Sequence, residues 1–389
     1  MNHPEVFPEW RGQDLDGLLG AAVDLVDDTT FPTVRRWREA GGLVLGHFQV
    51  YFPEEIAHAA GMLPFKVRGA PVEPRHADSH FGSYLCSIVK TSLELTLSGA
   101  VELDLFVTHP ICDAARNLAG VFGRNFPYPC HILYLPQNAN SAYAAGYLRG
   151  EYDRMRRLVE QVCERPISED DLNRSLVVFN RNRALLRELY AIRREEPWRV
   201  AAHEAYALVA LAGLIPREEH NDLLAAALPM LRTRPTRAED RIRLVFEGGF
   251  CEQPPIDLLR AVGRTCYVVD DDWLIGLRWI TSDVPVTPDP LAALADAYLE
   301  QSSFSPVQHD ARKPKEEMLL RRLRDSGGQA VVLTAAKMCE PGLEEQVAYV
   351  QALEQAQVPY FVSEFEESMS SFETLEIQLA TFAENLMFD

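Results

Sequence analysis

The feature that most constrains this chain is a repeated alternation of short apolar runs with helical segments. In the first part of the chain, two helical segments are followed by apolar runs that are typical of buried strands. These runs lie at 43–48, 63–67, 103–108 and 131–135, and a helical pattern lies between each run and the next. Strands that alternate with helices in this way build a mostly parallel sheet.

The same alternation returns after residue 241, with strand-like runs at 243–247, 265–270, 330–334 and 358–363 and a closing amphipathic helix. Between the two blocks the strand-like runs disappear and long polar helices replace them. One of these helices begins with Ser168-Glu-Asp-Asp171, which is typical of a helix N-terminus with an acidic first turn. A chain of 389 residues is also expected to form more than one domain.

We therefore predict an α/β protein in three parts. Residues 1–137 form N-terminal helices and a first α/β domain, residues 138–237 form a helical region, and residues 238–389 form a second α/β domain with a C-terminal helix. Within the two α/β parts, LDLFVT leads to Cys112-Asp113 and AVVLT leads to Cys339-Glu340, and the next strand follows at nearly the same spacing. This repetition of strand, cysteine, acid and spacing suggests two domains of the same design.

The position of these two cysteines after a strand suggests chemistry. Ligands of open α/β sheets bind beyond the carboxyl ends of the strands, so Cys112 and Cys339 are expected to face a shared cleft if the two domains face each other. Cys86 lies near the start of a predicted helix, a position that favours the metal-binding thiolate. Three such thiolates could hold zinc or an iron–sulfur cluster with one open iron. The residues alone leave Cys112 and Cys339 open between a ligand and a structural role, and Cys86 by itself favours a structural one.

The remaining cysteines favour a structural role, because a thiol often acts as a small buried hydrophobe. They are Cys130, Cys163, Cys251 and Cys266. His109 and Lys337 precede the two strand-end cysteines and are weak candidates for donors to a cluster or a substrate, with a loop-exposed role equally open. Asp270-Asp-Asp272, followed by Gly276 and Arg278, could orient a ligand, hold a domain contact or form a solvated turn.

Charge and motifs exclude several classes of protein. The chain has 38 basic and 57 acidic residues and a net charge of −19, which argues against a nucleic-acid or anionic-membrane surface. There is no apolar run long enough for a membrane span and no signal peptide, so we expect a cytoplasmic protein with reduced thiols. The absence of a C-x-x-C pair, a P-loop, a well-placed G-x-G-x-x-G and a nucleophile elbow argues against the corresponding local sites.

Several segments in order along the chain resemble the benzoyl-CoA reductase and 2-hydroxyacyl-CoA dehydratase superfamily. The segments are FPEEIAHAAGMLPFKVRG, SYLCSIVKTSLELTLSG, LDLFVTHPICDAARNL, YVVDDDWLIGLRW, AVVLTAAKMCEPGLEEQ and VPYFVSEFEES. Within the superfamily, the length and the SYLCSIVKTSLELTLSG segment are most similar to the C-type subunit of ATP-dependent benzoyl-CoA reductase. The segment around Cys86 departs from the family pattern, because it lacks a proline-bearing cysteine step.

The resemblance implies two Rossmann-like (flavodoxin-like) parallel-sheet domains with an intervening helical region. It also implies a [4Fe-4S] cluster whose ligands would be Cys86, Cys112 and Cys339. The expected partners are a related larger subunit and an ATP-hydrolysing iron–sulfur activator that delivers low-potential electrons, with ferredoxin as the ultimate donor. The expected reaction is reduction of the aromatic acyl-CoA benzoyl-CoA to a cyclic dienoyl-CoA. Two alternatives remain: an electron-relay or architectural subunit, and a subunit of a 2-hydroxyacyl-CoA dehydratase.

Overall fold

The computed structural model describes residues 4–48, 52–248, 254–273, 282–302, 310–366, 369 and 371–388. Three residues named in the sequence patterns, Cys251, Gly276 and Arg278, lie outside the described residues. No helix in these ranges is long and apolar enough to cross a membrane.

The first sheet is built from the four strand-like runs near the N-terminus. Its strands are β1 (Val44–Phe48), β2 (Leu63–Val67), β3 (Leu105–Thr108) and β4 (Cys130–Ile132). They pair in parallel in the order β2-β1-β3-β4. The accompanying helices are α1 (Leu15–Asp27), α2 (Pro32–Glu39), α3 (Glu54–Ala59), α4 (Ser87–Leu97) and α5 (Asp113–Asn125).

The second sheet repeats this arrangement strand for strand. Its strands are β5 (Arg243–Glu247), β6 (Tyr267–Asp271), β7 (Ala330–Ala336) and β8 (Tyr360–Phe365), in the parallel order β6-β5-β7-β8. In both sheets the order begins as in flavodoxin-like folds, and β3 and β7 hold the same place. The predicted α/β fold with two Rossmann-like parallel sheets is therefore confirmed.

Helices fill the segment between the sheets and flank the second sheet. The segment between them contains α6 (Ala144–Cys163), α7 (Glu169–Glu195), α8 (Ala202–Ala210) and α9 (Arg217–Thr233). The second sheet is accompanied by α10 (Ile256–Thr265), α11 (Pro290–Gln301), α12 (Lys315–Ser326), α13 (Glu340–Gln355) and α14 (Glu373–Phe388). The domain boundaries at 137 and 237 remain predictions.

Some element ends differ from those that the residue pattern predicts. Helix α4 begins at Ser87 rather than at residue 83, and β7 continues to Ala336 rather than ending at Thr334. The predicted start of α7 is confirmed, because Ser168 and Asp171 form a reciprocal capping box. Helix α9 was not predicted. It contains Pro229 and many charged residues, and it forms because its apolar residues pack into the core.

Helix α7 is held by buried polar contacts to α3 of the first α/β part and to β6 of the second sheet. Towards the first sheet, Arg183 pairs with Glu55 of α3, and both side chains are buried. Towards the second sheet, the Arg193 guanidinium lies 2.5 Å from Asp271 of β6, with side-chain exposures of 1% and 0%. The Tyr190 hydroxyl also donates to Asp271 at 2.5 Å. Because a buried charge needs a partner in a fixed position, these pairs specify how α7 packs between the two sheets.

Candidate functional site

Three cysteines stand in equivalent local positions, each immediately before the first residue of a helix. Cys86 is the N-cap residue of α4, Cys112 of α5 and Cys339 of α13. The first turn of a helix has backbone N–H groups without intrahelical partners and a partial positive charge. A helix start thus contributes to stabilising a thiolate, which is the form that binds metal.

A cavity of about 930 Å³ is lined by all three of these cysteines. Cys86 and Cys112 reach it from the first α/β part of the chain and Cys339 reaches it from the second, together with its neighbours Met338 and Glu340. Cys86 and Cys339 are buried, with exposures of 8% and 7%. The tertiary structure thus brings together three thiols that are far apart in the sequence. Their role as ligands remains a prediction.

The loops that carry Cys112 and Cys339 are held by local contacts. The Sγ atom of Cys112 accepts a hydrogen bond from the Ala115 N–H at 3.4 Å, and the Thr108 hydroxyl donates to the Ala115 carbonyl at 3.2 Å. Before Cys339, Met338 has a φ angle of 62°, a left-handed conformation that methionine rarely adopts. The first turn of α5 and the turn at Met338 therefore set the directions of the two cysteines.

Burial and charge oppose ionisation of Cys112. Burial raises the pKa of its thiol, and so do the nearby Cys339 and Glu340, while the N–H groups of Ala115 and Ala114 lower it. Metal binding at this thiol must therefore release a proton and is favoured by higher pH.

The arrangement of the thiols distinguishes between kinds of metal group. Within the described ranges, no three side chains of His, Cys, Asp or Glu are gathered closely enough to hold a single metal ion. A polynuclear cluster makes a different demand, because each thiolate binds a different iron and the sulfur ligands stand around the cluster. A closed structural zinc site needs four ligands at one ion, whereas three helix-capping thiols line this cavity.

His109 and Lys337 are not among the residues that line the cavity. His109 is buried, its Nδ1 lies 3.2 Å from the Leu133 carbonyl oxygen, and burial lowers its pKa to about 4, so its ring is neutral at physiological pH. Lys337 is half exposed and pairs with Glu366 at 2.8 Å. Their roles as donors to a cluster or a substrate remain predictions.

The other described cysteines lie away from the cavity lining. Burial raises the pKa of Cys130 to about 11 and that of Cys266 to about 12, so both thiols stay protonated. Cys163 is the last residue of α6, where the partial charge of the helix disfavours a thiolate. The acids Asp270 and Asp271 are buried in ion pairs with arginines, which differs from the solvated turn that the sequence allowed.

Glu94 of α4 holds the segment that precedes Cys86, and the sequence pattern did not identify it. Its carboxylate accepts hydrogen bonds from the backbone N–H groups of His76 and Ala77 at 2.8 and 2.9 Å, and Nδ1 of His76 lies 2.7 Å away. Burial favours the neutral acid, but these hydrogen bonds outweigh it and the pKa of Glu94 is lowered. The segment leads directly to His80 and Phe81, which line the cavity.

Glu94→Gln is expected to loosen this segment by about 1–3 kcal/mol, because a neutral amide replaces a charge that two backbone N–H groups solvate. Since the pKa of Glu94 is lowered on folding, its contribution is complete above the usual value of 4.5 and is lost as the pH falls through the lowered value. Hydrogen exchange of residues 76–86 measures both effects. Glu73→Gln is the control, because Glu73 and its partner Arg75 are exposed. Equal protection in the two variants would contradict the role of Glu94.

Comparisons with known proteins identify the family. The family model described as 2-hydroxyglutaryl-CoA dehydratase, D-component, matches residues 49–386. This chain belongs to that family. Among curated relatives, it is 32% identical to the C subunit of benzoyl-CoA reductase from Thauera aromatica, over 95% of this chain and 98% of the relative. The resemblance seen in the separate sequence segments is thereby confirmed.

Other relatives of this family are subunits named as dehydratases. The chain is 27% identical to the beta subunit of lactoyl-CoA dehydratase from Anaerotignum propionicum, over 90% of this chain and 93% of the relative. It is 24% identical to the beta subunit of (R)-2-hydroxyglutaryl-CoA dehydratase from Acidaminococcus fermentans, over 90% of this chain and 94% of the relative. The similarity therefore covers nearly the whole chain.

Proposed function

We propose that this chain is the iron–sulfur subunit of an ATP-dependent benzoyl-CoA reductase and holds a [4Fe-4S] cluster through Cys86, Cys112 and Cys339. The observation that carries the proposal is the convergence of three helix-capping thiols on one cavity. The relatives' names support the acyl-CoA chemistry, and identity is higher to the reductase relative, at 32%, than to the two dehydratase relatives, at 27% and 24%.

The residues of this chain would bind and shield the cofactor. A bound cluster would supply electrons of low potential for reducing the aromatic ring. The backbone N–H groups at the starts of α4, α5 and α13 would stabilise the thiolates, and the Ala115 N–H already donates a hydrogen bond to the Cys112 sulfur. Cys86 and Cys339 are themselves buried, so most of each residue is shielded from bulk solvent. Three protein ligands leave one position that no cysteine of the cavity fills.

The proposal includes partners. The relatives are named as the C subunit or the beta subunit of their enzymes, which supports assembly with a related larger subunit. An ATP-hydrolysing iron–sulfur activator would deliver the electrons, with ferredoxin as the ultimate donor, in the cytoplasm. Because the chain carries no P-loop motif, ATP hydrolysis is assigned to the activator rather than to this chain.

Anaerobic purification followed by iron and sulfide analysis and EPR spectroscopy tests the cofactor. We expect about four irons and about four sulfides per chain. A preparation without iron, with one tightly bound zinc per chain, would contradict the proposed cluster. Since metal binding must displace a proton from Cys112, reconstitution is expected to be more complete as the pH rises towards the pKa of the thiol.

A dehydratase is the competing function, because the matched family model and two of the relatives carry that description. The assembled complex should be given benzoyl-CoA and a 2-hydroxyacyl-CoA in separate assays. Formation of the cyclic dienoyl-CoA alone supports the reductase. Formation of an enoyl-CoA from the 2-hydroxyacyl-CoA, without reduction of benzoyl-CoA, would assign the chain to a dehydratase.

A further inference from the structure

One face of α5 forms a wall of the cysteine cavity along almost the whole helix. The cavity-lining residues of this helix include Asp113, Arg116, Asn117, Gly120 and Arg124. Their spacing places them on one side of the helix. From Asp113 to Arg124 the wall is about 16 Å long, since an α-helix rises 1.5 Å per residue. It begins next to Cys112 and leads away from it.

The charges along this wall are ordered. Asp113 and Glu340 lie at the cysteine end, and Asp113 is paired with Arg116 at 2.6 Å. Arg124 lies at the far end, is exposed, and forms no ion pair with any described residue. The carboxylates of the wall thus lie beside the cysteines, where Arg116 offsets the charge of Asp113, and an arginine with no described ion-pair partner lies at the far end. An anionic group can therefore pair with Arg124 without displacing a described carboxylate.

Between these ends the backbone of α5 is bare at Gly120, although Asn117 and Val121 on either side carry side chains. Gly120 is exposed in the middle of α5, and a Cβ atom added there would meet no other atom within 4 Å. Glycine in the interior of a helix costs about 1 kcal/mol relative to alanine. A flat, open stretch of backbone at this place allows an extended ligand to lie close to the helix.

We propose that this face of α5 binds the coenzyme A part of an acyl-CoA thioester, with the phosphates at Arg124 and the thioester towards the cysteines. The inference rests on the proposed function, because it assigns the substrate to the cavity of this chain and not only to a partner. Coenzyme A carries its phosphates at the end remote from the thioester. The pantetheine arm between them is long and largely uncharged, which suits the bare stretch at Gly120.

Calorimetric titration of the full chain with coenzyme A tests the phosphate contact. Arg124→Ala is expected to weaken binding about tenfold or more, because a charge-assisted contact to phosphate is lost. Pantetheine, which has no phosphate, should bind the variant and the unaltered protein alike. Arg321→Ala is the control, since Arg321 is also exposed, forms no ion pair with any described residue and lies outside the cavity lining. Equal affinity of coenzyme A for both variants would overturn the inference.

A steric test uses the bare stretch. Gly120→Leu places a side chain in the path of the ligand and is expected to weaken both coenzyme A and pantetheine. Gly20→Leu in α1 is the matched control, because Gly20 is also exposed in mid-helix with no atom near its added Cβ. Both changes favour helix formation, so neither variant should lose stability. Unchanged affinity in Gly120→Leu would place the ligand elsewhere and overturn the inference.

Iron analysis distinguishes failure of the substrate assignment to α5 from failure of the proposed function. If the chain holds about four irons but coenzyme A does not bind to it, the cluster proposal stands and the assignment of substrate to α5 is wrong. That outcome would instead support an electron-relay role. If the chain holds no iron, the proposed function fails whatever the titration shows.

Discussion

Cys339→Ala is expected to reduce the iron content from about four atoms per chain to near zero and to abolish turnover of the assembled complex. Three cysteines of this chain line the cavity, and an iron–sulfur cluster is normally held by four thiolates. Removing one of three leaves two protein ligands, which is too few to retain the cluster. Iron and sulfide analysis and the EPR spectrum measure the loss directly, without relying on activity.

Cys163→Ala is the control for this experiment. Cys163 also stands at the end of a helix, but it is the last residue of α6 rather than the cap before a first turn, and it lies outside the cavity lining. The Cys163→Ala protein should contain as much iron as the unaltered protein. A Cys339→Ala protein that keeps its iron and EPR signal would show that Cys339 is not a ligand. If turnover disappears while benzoyl-CoA binding to the complex is unchanged, the relay function is favoured.

Arg193→Ala is expected to lower the free energy of unfolding by about 3–5 kcal/mol, the usual cost of removing one partner of a buried ion pair. Arg193 and Asp271 are almost completely buried and lie 2.5 Å apart. Burial raises the pKa of Asp271, and Arg193 opposes that rise. Without the arginine, Asp271 is left as an uncompensated buried acid between α7 and β6. The urea concentration at half-unfolding should fall correspondingly.

Arg149→Ala provides the comparison, because Arg149 and Asp289 form an ion pair with 45% of each side chain exposed. Exposed pairs contribute about 0–1 kcal/mol, so this variant should unfold close to the unaltered protein. Equal stability of the Arg193 and Arg149 variants would mean that the pair to Asp271 does not hold α7 against the second sheet. Because α7 also pairs with α3 of the first α/β part, loss of the Arg193 pair should further reduce coupling between the two α/β parts.

Much of the fold could be predicted from local patterns. All eight described strands overlap apolar runs seen in the sequence, because inner strands such as β1 and β7 are buried on both faces of a parallel sheet and need continuous apolar segments. Element ends were less accurate. Helix α4 starts later than its pattern suggests, and α9 was missed because its charged residues and Pro229 mask an apolar face that only packing reveals.

The candidate site was likewise predicted from the sequence only in part. The echo between the segments at Cys112 and Cys339 was visible in the sequence, since both follow the third strand of equivalent sheets. The face of α5 was not recognised, although its polar residues recur at helical spacing, because that spacing alone is equally typical of a solvated surface. Glu94 gave no signal, since its partners are backbone N–H groups of a loop.

The sequence by itself determined that two parallel sheets alternate with helices and that a cysteine follows the third strand of each. These features depend on neighbours along the chain, where periodicity and local propensity act. Only the tertiary structure decided that Cys86 joins Cys112 and Cys339 at one cavity and that α5 forms its wall. The reason is physical: the relative placement of the two sheets depends on packing and on buried pairs such as Arg193 with Asp271, whose partners are far apart in the chain.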